Sequence, residues 1–409
     1  MINVDYKPIL KKFISTIPAI AYGTERINYV LGNIDKLQPD ERLVLKQLID
    51  RMLVSMIERE SSDFELGGYG NDGYVWLRTF GKKERIKEFP QFSVDEATIL
   101  IGNLLNSNQC KFLTVTKNLD FSYTFYYERK KVNARFRACA YFDLETLALN
   151  LRAINTNIRP LDSLGFHPNV VKAMSHGYIK FGLSLVTGIT GSGKSTTLDA
   201  IIDEHNKIDP AHIVIIASPI EYVHKSNVSI IRHREVGRDV VSFKDGVIQS
   251  LRQDPDIIVI GEMRDPDTIL AALEVTDTGH KVFSTLHTSS AVESIDRIVA
   301  EVHPTEQDRV RNRLADVLIS VVSQKLVPSI DGKRILAKEV LIVTPSVKAA
   351  IKNNNTSEIY MMINQGSQNG MITMEQDLKR LYLSKKITLD TAMAYANNKT
   401  RMQQIMTAV

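Results

Sequence analysis

The sequence predicts an α/β protein with two domains, a small α+β domain followed by a domain built on a mostly parallel sheet. Short runs between residues 74 and 154 alternate aromatic or β-branched residues with polar ones, which is typical of antiparallel strands. Later runs are apolar throughout and alternate with helical segments, which is typical of a parallel sheet covered on both faces. The chain has 409 residues, more than a single hydrophobic core usually organises.

The composition excludes several classes of protein. Lys and Arg are interspersed with nearly as many acidic residues at a formal net charge of +4, so we expect no direct binding to nucleic acid. Cys110 and Cys139 stand far apart with no CxxC pair or His cluster, so neither a disulfide framework nor a zinc site is expected. A reducing cytoplasm suits such a chain. No stretch approaches about 18 apolar residues, so membrane association should be peripheral and through partners.

The first 154 residues divide into an extension and a domain. Residues 1–37 form an N-terminal extension, in which apolar residues at near-helical spacing predict a short helix before Pro18. A longer helix is predicted from Pro39, where Pro-Asp-Glu is a helix start signal. Residues 38–154 form the α+β domain, whose predicted strands are 74–80, 120–128, 132–142 and 147–154.

The second domain, residues 169–409, follows a turn-rich linker at 155–168. Its parallel sheet is predicted to include the apolar runs at 212–218, 256–262 and 281–287. After about residue 304 the pattern turns helical, which predicts a helical C-terminal region. One amphipathic helix is predicted there from the spacing of Val310, Leu314, Val317, Leu318, Val321 and Val322.

The most informative segment is 181–198, FGLSLVTGITGSGKSTTL. A strand-like run is followed by Gly-x-x-x-x-Gly-Lys-Ser and then by a helix-like run, which is the context of a phosphate-binding loop. Glycines let backbone N–H groups point at phosphate oxygens, Lys194 reaches the β- and γ-phosphates, and the Ser195 hydroxyl ligates Mg²⁺. The sequence therefore predicts that ATP and Mg²⁺ are held by Gly188, Thr190, Gly191, Ser192, Gly193, Lys194, Ser195 and Thr196.

Three polar residues at the ends of later strands are candidates for catalysis. Glu262 follows an apolar run, and ligands of a parallel sheet lie at the carboxyl ends of its strands. Glu262 is therefore the predicted general base of ATP hydrolysis. His280 begins the next predicted strand and His287 ends it. Their separation and the lack of a third ligand argue against a metal site, so we expect a neutral polar role beside the phosphates.

The region after residue 250 resembles the secretion ATPase superfamily, and within it the type IV pilus retraction ATPases. Its GEMRD motif is similar to the family's atypical Walker B motif, with Glu262 as the glutamate. Its GH…TLHT motif is similar to the family's His box. The resemblance continues through residues 303–328, 337–351 and 370–382, and it covers nearly all of 60–405.

The resemblance implies a homo-hexameric motor ATPase, in which each protomer has a PAS-like N-terminal domain and a RecA-like ATPase domain. It implies that nucleotide lies between the domains and is completed by arginines of the N-terminal domain. Arg137 and Arg152 match that set by motif, and Arg135 is a further candidate. The implied work is pilus retraction, in the cytoplasm at the inner face of the inner membrane, beneath a pilus or secretion platform protein.

One motif departs from the family. Where its members usually have Glu-Asp before Pro-Ile-Glu, in a segment called the Asp box, this chain has Ala217 and Ser218, and Glu221 remains as a candidate catalytic carboxylate. Slow hydrolysis or a reassigned carboxylate is therefore open. The family's retraction signature, usually Ala-Ile-Arg-Asn-Leu-Ile, reads Ser-Val-Lys-Ala-Ala-Ile at 346–351. A type IV or type II secretion motor, and a weakly hydrolysing regulatory subunit of such a ring, stay open as alternatives.

Overall fold

The structure is a computed structural model that describes residues 5–79, 82–154 and 158–407. Its contacts divide the chain into two units. The first contains Met1–Thr156 and Ser218–Tyr222, and the second contains Asn157–Ala217 and Val223–Val409. The two sheets differ in kind, one antiparallel and one mostly parallel, and the predicted α/β fold class is confirmed.

The first unit is an antiparallel sheet with helices packed against one face. Its strands are β1 Asp63–Gly67, β2 Val75–Thr79, β3 Lys82–Ile86, β4 Asn118–Tyr127, β5 Val132–Asp143 and β6 Thr146–Ala153. Its helices are α1 Lys7–Ile14, α2 Gly23–Asn33, α3 Pro39–Glu58, α4 Val94–Gly102 and α5 Ser107–Thr116. The strand order is β3-β2-β1-β6-β5-β4. Alternate residues of β4 are buried, so one face of the sheet carries the core.

The four strands predicted between residues 74 and 154 are confirmed as β2, β4, β5 and β6. The last residue of the first predicted strand, Phe80, lies outside the described residues. Strands β1 and β3 are additional to the prediction. β1 is buried at four of its five positions and β3 is exposed at four of five, so neither shows the alternation that identifies a half-buried strand.

Residues of the N-terminal extension pack into the core of the first unit. The predicted short helix is confirmed as α1, whose Leu10 is 1% exposed and whose Phe13 is 6% exposed. Ile27 and Leu31 of α2 belong to the same core. The longer predicted helix is confirmed as α3, which begins at Pro39.

The second unit is a sheet with helices on both sides of its central strands and a helical C-terminal region. Its strands are β7 Gly182–Thr187, β8 His212–Ala217, β9 Ile230–Glu235, β10 Ile257–Ile260, β11 Lys281–Leu286, β12 Leu318–Pro328 and β13 Arg334–Ile342. Its helices are α6 Pro168–Met174, α7 Lys194–Ile208, α8 Phe243–Ser250, α9 Pro266–Asp277, α10 Ala291–Glu301, α11 Gln307–Val317, α12 Pro345–Lys352, α13 Ile359–Gln365, α14 Met374–Leu383, α15 Leu389–Tyr395 and α16 Lys399–Thr407.

The strand order of this second sheet is β13-β12-β7-β11-β10-β8-β9. All pairs are parallel except β12 with β13. Every residue of β7, β10 and β11 is buried, as expected for strands covered on both faces. The carboxyl ends of β7, β11 and β10 therefore lie side by side at one edge of the sheet.

The predicted helix through Val322 is wrong beyond residue 317. α11 ends at Val317, and Leu318–Pro328 is strand β12, which pairs with β7 on one side and β13 on the other. Because β12 lies inside the sheet, both its faces are largely buried, and the run LISVVS shows no alternation. A short apolar run of this kind fits a helix and a buried strand equally well by periodicity.

We expect Leu10→Ala to destabilise the first unit by about 2–5 kcal/mol, because it removes a fully buried side chain from the core. Ile20→Ala is the matched control, since Ile20 is 87% exposed, and it should change stability by less than about 0.5 kcal/mol. The single tryptophan of the chain, Trp76, lies in β2, so its fluorescence during urea titration reports unfolding of this unit. Equal midpoints for the two variants would show that α1 does not stabilise it.

Candidate active site

The loop between β7 and α7 has the geometry of a phosphate-binding loop. Gly188, Gly191 and Gly193 have φ angles of +149°, +79° and +89°, a region that residues with a Cβ rarely adopt. A Cβ at Gly188 would also lie 2.5 Å from the carbonyl oxygen of Gln324. The glycine spacing is therefore required by the path of the backbone, which leads directly into the N-terminus of α7.

Several features of the loop fit a bound phosphate chain. The Nζ of Lys194 donates to the carbonyl oxygens of Gly188, at 2.8 Å, and Ile189, at 3.2 Å, so the ammonium group lies over the loop. Ser192 Oγ is buried and has no hydrogen-bond partner among the described residues, so it can donate to a phosphate. Ser195 and Thr196 lie in the first turn of α7, and Thr190 is exposed at the turn of the loop.

Glu262 and His287 lie close together at the carboxyl ends of neighbouring strands. Glu262 follows β10, and its side chain is 15% exposed. Its Oε2 lies 2.6 Å from Nε of Arg264 and 3.8 Å from Nε2 of His287, which follows β11. The next acidic residue, Asp265, lies outside this group and caps α9 by accepting from the backbone N–H of Thr268 at 2.8 Å.

The electrostatic environment keeps His287 neutral. Burial lowers the pKa of His287, the positive charges of Lys194 and Arg264 lower it further, and Glu262 opposes them. The charge of Lys194 is thus close enough to act on this ring. The structure therefore brings Lys194, Glu262 and His287 to one place at the edge of the sheet, while their catalytic roles remain predictions.

His280 lies at the opposite end of β11. Its Nδ1 is 3.0 Å from the Thr278 hydroxyl and 3.1 Å from the Val275 carbonyl oxygen. At about 3.3 Å per residue, His280 is about 23 Å along the strand from His287. The prediction that both histidines lie beside the phosphates is therefore wrong for His280 within one chain, because a full strand separates it from the loop.

The candidate arginines lie in the first unit, in a cross-strand arrangement that we call the arginine row: Arg78, Arg152 and Arg137 with Asp63. Asp63 of β1 is paired in register with Arg78 of β2 and Arg152 of β6, and Arg152 with Arg137 of β5. Arg152 lies 2.8 Å from Asp63 and Arg78 lies 3.5 Å from it. Residues directly opposite on neighbouring strands share a face, so the row presents three guanidinium groups and one carboxylate.

The carboxylate at the centre of the arginine row stays ionised. Burial of Asp63 acts to raise its pKa, but hydrogen bonds from Ser62 and Arg152 outweigh burial and lower the pKa. The side chains of Arg152 and Arg137 remain 69% and 45% exposed, so both can still reach a ligand. Arg78 was not predicted, because the register that aligns it with Asp63 depends on β1, a strand without sequence alternation.

The remaining Asp-box carboxylate, Glu221, lies in the segment Ser218–Tyr222 of the first unit. Its Oε1 is 3.8 Å from Arg137 Nη1. Arg135 Nη2 donates to the carbonyl oxygen of Ile220 at 2.7 Å. In the second unit, Ala217 ends β8 beside Gly261, which immediately precedes Glu262. A carboxylate at residue 217 would therefore extend from a position beside the backbone of Gly261, one residue before the predicted base.

In the part of the chain that the structure describes, metal-ligating side chains do not cluster and the cysteines are not paired. Within these ranges, three His, Cys, Asp or Glu side chains nowhere come together as they would to hold a metal ion. Cys110 and Cys139 are free thiols, and burial raises the pKa of Cys110 to about 11. Among the helices described, none is both long and apolar enough to cross a bilayer.

Comparisons with known sequences agree with the geometry. The family model of the type II/IV secretion system protein matches residues 38–407. The twitching motility protein of Neisseria gonorrhoeae is 38% identical over 80% of this chain and 85% of its own length. The type IV pilus retractation ATPase PilT of Pseudomonas aeruginosa is 38% identical over 77% of this chain and 89% of its own length.

Solved structures give the same result. The pilus retraction motor PilT with bound ADP is similar with a TM-score of 0.75 and 35% identity, over 86% of this chain and 98% of the other. The Legionella pneumophila ATPase DotB is similar with a TM-score of 0.75 and 26% identity, over 88% of this chain and 95% of the DotB chain. The resemblance predicted from the motifs is confirmed, and this chain is an ATPase that belongs to the type II/IV secretion system protein family.

Proposed function

We propose that this chain is a motor ATPase that hydrolyses ATP to drive retraction of a type IV pilus. The observation that carries the proposal is the convergence of Lys194, Glu262 and His287 at a phosphate loop. Similarity to the Neisseria and Pseudomonas proteins over most of the chain supports retraction as the work done. The proposed cofactor is Mg²⁺, held by the Ser195 hydroxyl, which would neutralise phosphate charge when bound.

Each residue of the site has a distinct proposed role in hydrolysis. The loop N–H groups and Lys194 hold the phosphates, and Ser192 Oγ adds a donor. Glu262 accepts the proton of the attacking water. Arg264 forms an ion pair with Glu262 at 2.6 Å and so holds the carboxylate in place.

His287 is proposed to act as a neutral donor or acceptor beside Glu262. Burial lowers the pKa of the ring most, and the positive charges of Lys194 and Arg264 lower it further, because a protonated ring would add a third positive charge beside them. The neutral form, which can orient water or sense the γ-phosphate, therefore persists to lower pH than for an ordinary histidine. His280 makes its hydrogen bonds at the other end of β11, so within its own chain it is not placed to act on the phosphates.

The proposed working form is a homo-hexameric ring in which arginines of one protomer complete the site of a neighbour. The exposed guanidinium groups of Arg137 and Arg152 support this, because cations stabilise a transferring phosphoryl group and a neighbouring chain can supply them. We propose that the ring works in the cytoplasm at the inner face of the inner membrane, on a pilus or secretion platform protein.

Two alternatives rest on specific observations. Similarity to DotB of Legionella pneumophila and to a type II secretion protein E of Klebsiella pneumoniae keeps a secretion motor as the second candidate. The substitution of Ala217 and Ser218 in the Asp box favours a weakly hydrolysing regulatory subunit. The first alternative changes the machine that the ATPase drives, and the second changes its rate.

Imaging of fluorescently labelled pili in the source organism tests the function. Cells that lack this chain should extend pili but fail to retract them, and the wild-type gene should restore retraction. A Glu262→Gln gene should not restore it. Normal retraction in the deleted cells, together with loss of a secreted protein, would support the secretion motor instead.

Glu262→Gln should lower ATP turnover by about 10²- to 10⁴-fold while ATP still binds, because it removes the base and keeps the side-chain shape. Lys194→Ala should weaken nucleotide binding by about 1.5–3 kcal/mol, because it removes a charged hydrogen bond to phosphate. Phosphate release and titration with a fluorescent nucleotide measure the two effects. Glu274→Gln, an exposed glutamate of α9, is the control and should turn over like wild type. If Glu262→Gln also turns over ATP at the wild-type rate, Glu262 is not the base.

A site completed by a neighbour predicts that specific activity rises with protein concentration as rings form. Arg152→Ala and Lys194→Ala proteins should each be inactive, and mixing them should restore part of the turnover, because some interfaces then combine an intact loop with an intact arginine. Arg129→Ala is the matched control, since Arg129 is 77% exposed and pairs with Glu58 outside the arginine row. Full activity of a monomeric sample would contradict the shared site.

Ala217→Glu with Ser218→Asp should raise turnover, by up to about 10²-fold, if the missing Asp-box carboxylates limit the reaction. Ala217→Gln with Ser218→Asn adds nearly the same volume without charge and should not raise it. Glu221→Gln, made alone, should lower ATP turnover strongly if Glu221 has taken over the role of the missing carboxylates. The Asp box is not catalytic here if Ala217→Glu with Ser218→Asp leaves ATP turnover unchanged and Glu221→Gln also turns over ATP at the wild-type rate.

A further inference from the structure

Gln324 of β12 connects the two sides of the phosphate loop. Its side-chain Nε2 donates to the carbonyl oxygen of Ser192 at 3.0 Å, and its Oε1 accepts from the Thr197 hydroxyl at 3.0 Å. Gln324 and Thr197 are each 1% exposed. Both ends of the amide are therefore used, one on the loop and one on the first turn of α7, where water is excluded.

The backbone of the loop also packs on Gln324. A Cβ at Gly188 would lie 2.5 Å from the Gln324 carbonyl oxygen, and a Cβ at Gly193 would lie 3.4 Å from its Nε2. Gly188 and Gly193, the first and last glycines of the motif, therefore both pack against Gln324. Among the described residues, no other side chain donates to the carbonyl oxygen of Ser192.

The contact with Ser192 fixes the direction of a phosphate-binding donor. The carbonyl group of Ser192 and the N–H group of Gly193 belong to one planar trans peptide, so they point in opposite directions. Because Gln324 holds the carbonyl oxygen on its own side, the Gly193 N–H points away from β12. In a phosphate loop such N–H groups are the donors to the phosphate oxygens.

We propose that Gln324 is a positioning residue that holds the phosphate loop in its nucleotide-binding shape. Without its amide, the buried Ser192 carbonyl loses its donor, and a turn of this peptide toward a new partner would present the oxygen to the anion instead of the N–H. The ligand concerned is the β-phosphate of a nucleoside diphosphate or triphosphate. The inference rests on the proposed function for its ligand but not for the machine that is driven.

Gln324→Leu tests the proposal, since it removes both hydrogen bonds at similar volume. We expect the Kd for ADP and the KM for ATP to rise about 10- to 100-fold, with a smaller change in kcat. Gln324→Glu adds a second readout: a neutral carboxyl group can donate to Ser192 and accept from Thr197, whereas the ionised form cannot donate. Affinity of this variant for ADP, relative to wild type, should therefore fall as pH rises.

Ser320→Ala is the matched control, because it removes a buried hydroxyl contact of the same strand, to Ser184 at 3.0 Å, away from the loop. It should leave the Kd for ADP unchanged even if the melting temperature drops. If Gln324→Leu does not fold, Thr197→Val is the second variant. It removes only the hydrogen bond from Thr197 to the Gln324 amide and should raise the Kd for ADP by a few-fold. Wild-type affinity in Gln324→Leu, with a wild type that binds ADP, overturns this inference only. A wild type that binds no ADP overturns the proposed function as well.

Discussion

The orientation of the backbone between β7 and α7 is the constraint on which the site depends. Glycines at 188, 191 and 193 adopt φ angles that other residues avoid, and the loop so formed leads into a helix N-terminus that attracts anions. The parallel sheet supplies the remaining groups, because the strands next to β7 end at the same edge. Glu262 and His287 therefore lie at the same end of the sheet as the loop, although they are far from it in the sequence.

The two units contribute different kinds of group. The second unit contains the phosphate loop and the predicted base, in positions fixed by buried strands. The first unit presents cations, and Asp63 gathers Arg78 and Arg152 into one row by cross-strand register. Asp63 and Glu221 balance only part of the charge of these three arginines, and the excess positive charge suits the proposed role of this surface toward nucleotide phosphates.

The sequence predicted the phosphate loop, Glu262 and His287 because their chemistry follows from local motifs and from the edge at which parallel strands end. It did not predict β12, because the mostly apolar run LISVVS is buried on both faces and fits a helix equally well. Gln324 was missed for the same reason, since its place beside the loop exists only once β12 pairs with β7. Arg78 required the register of β1, which no local pattern shows. His280 was misplaced although its strand was predicted, because the two ends of a strand lie at opposite ends of the sheet.

The position of Lys194 in a crystal structure with bound ADP tests this account most directly. Its Nζ donates to the Gly188 and Ile189 carbonyl oxygens here, and the account predicts that it instead contacts the β-phosphate, with Gly193 N–H and Ser192 Oγ as further donors and Gln324 still bound to Ser192. Phosphates bound away from the loop, or a Ser192 carbonyl oxygen turned toward them, would contradict it.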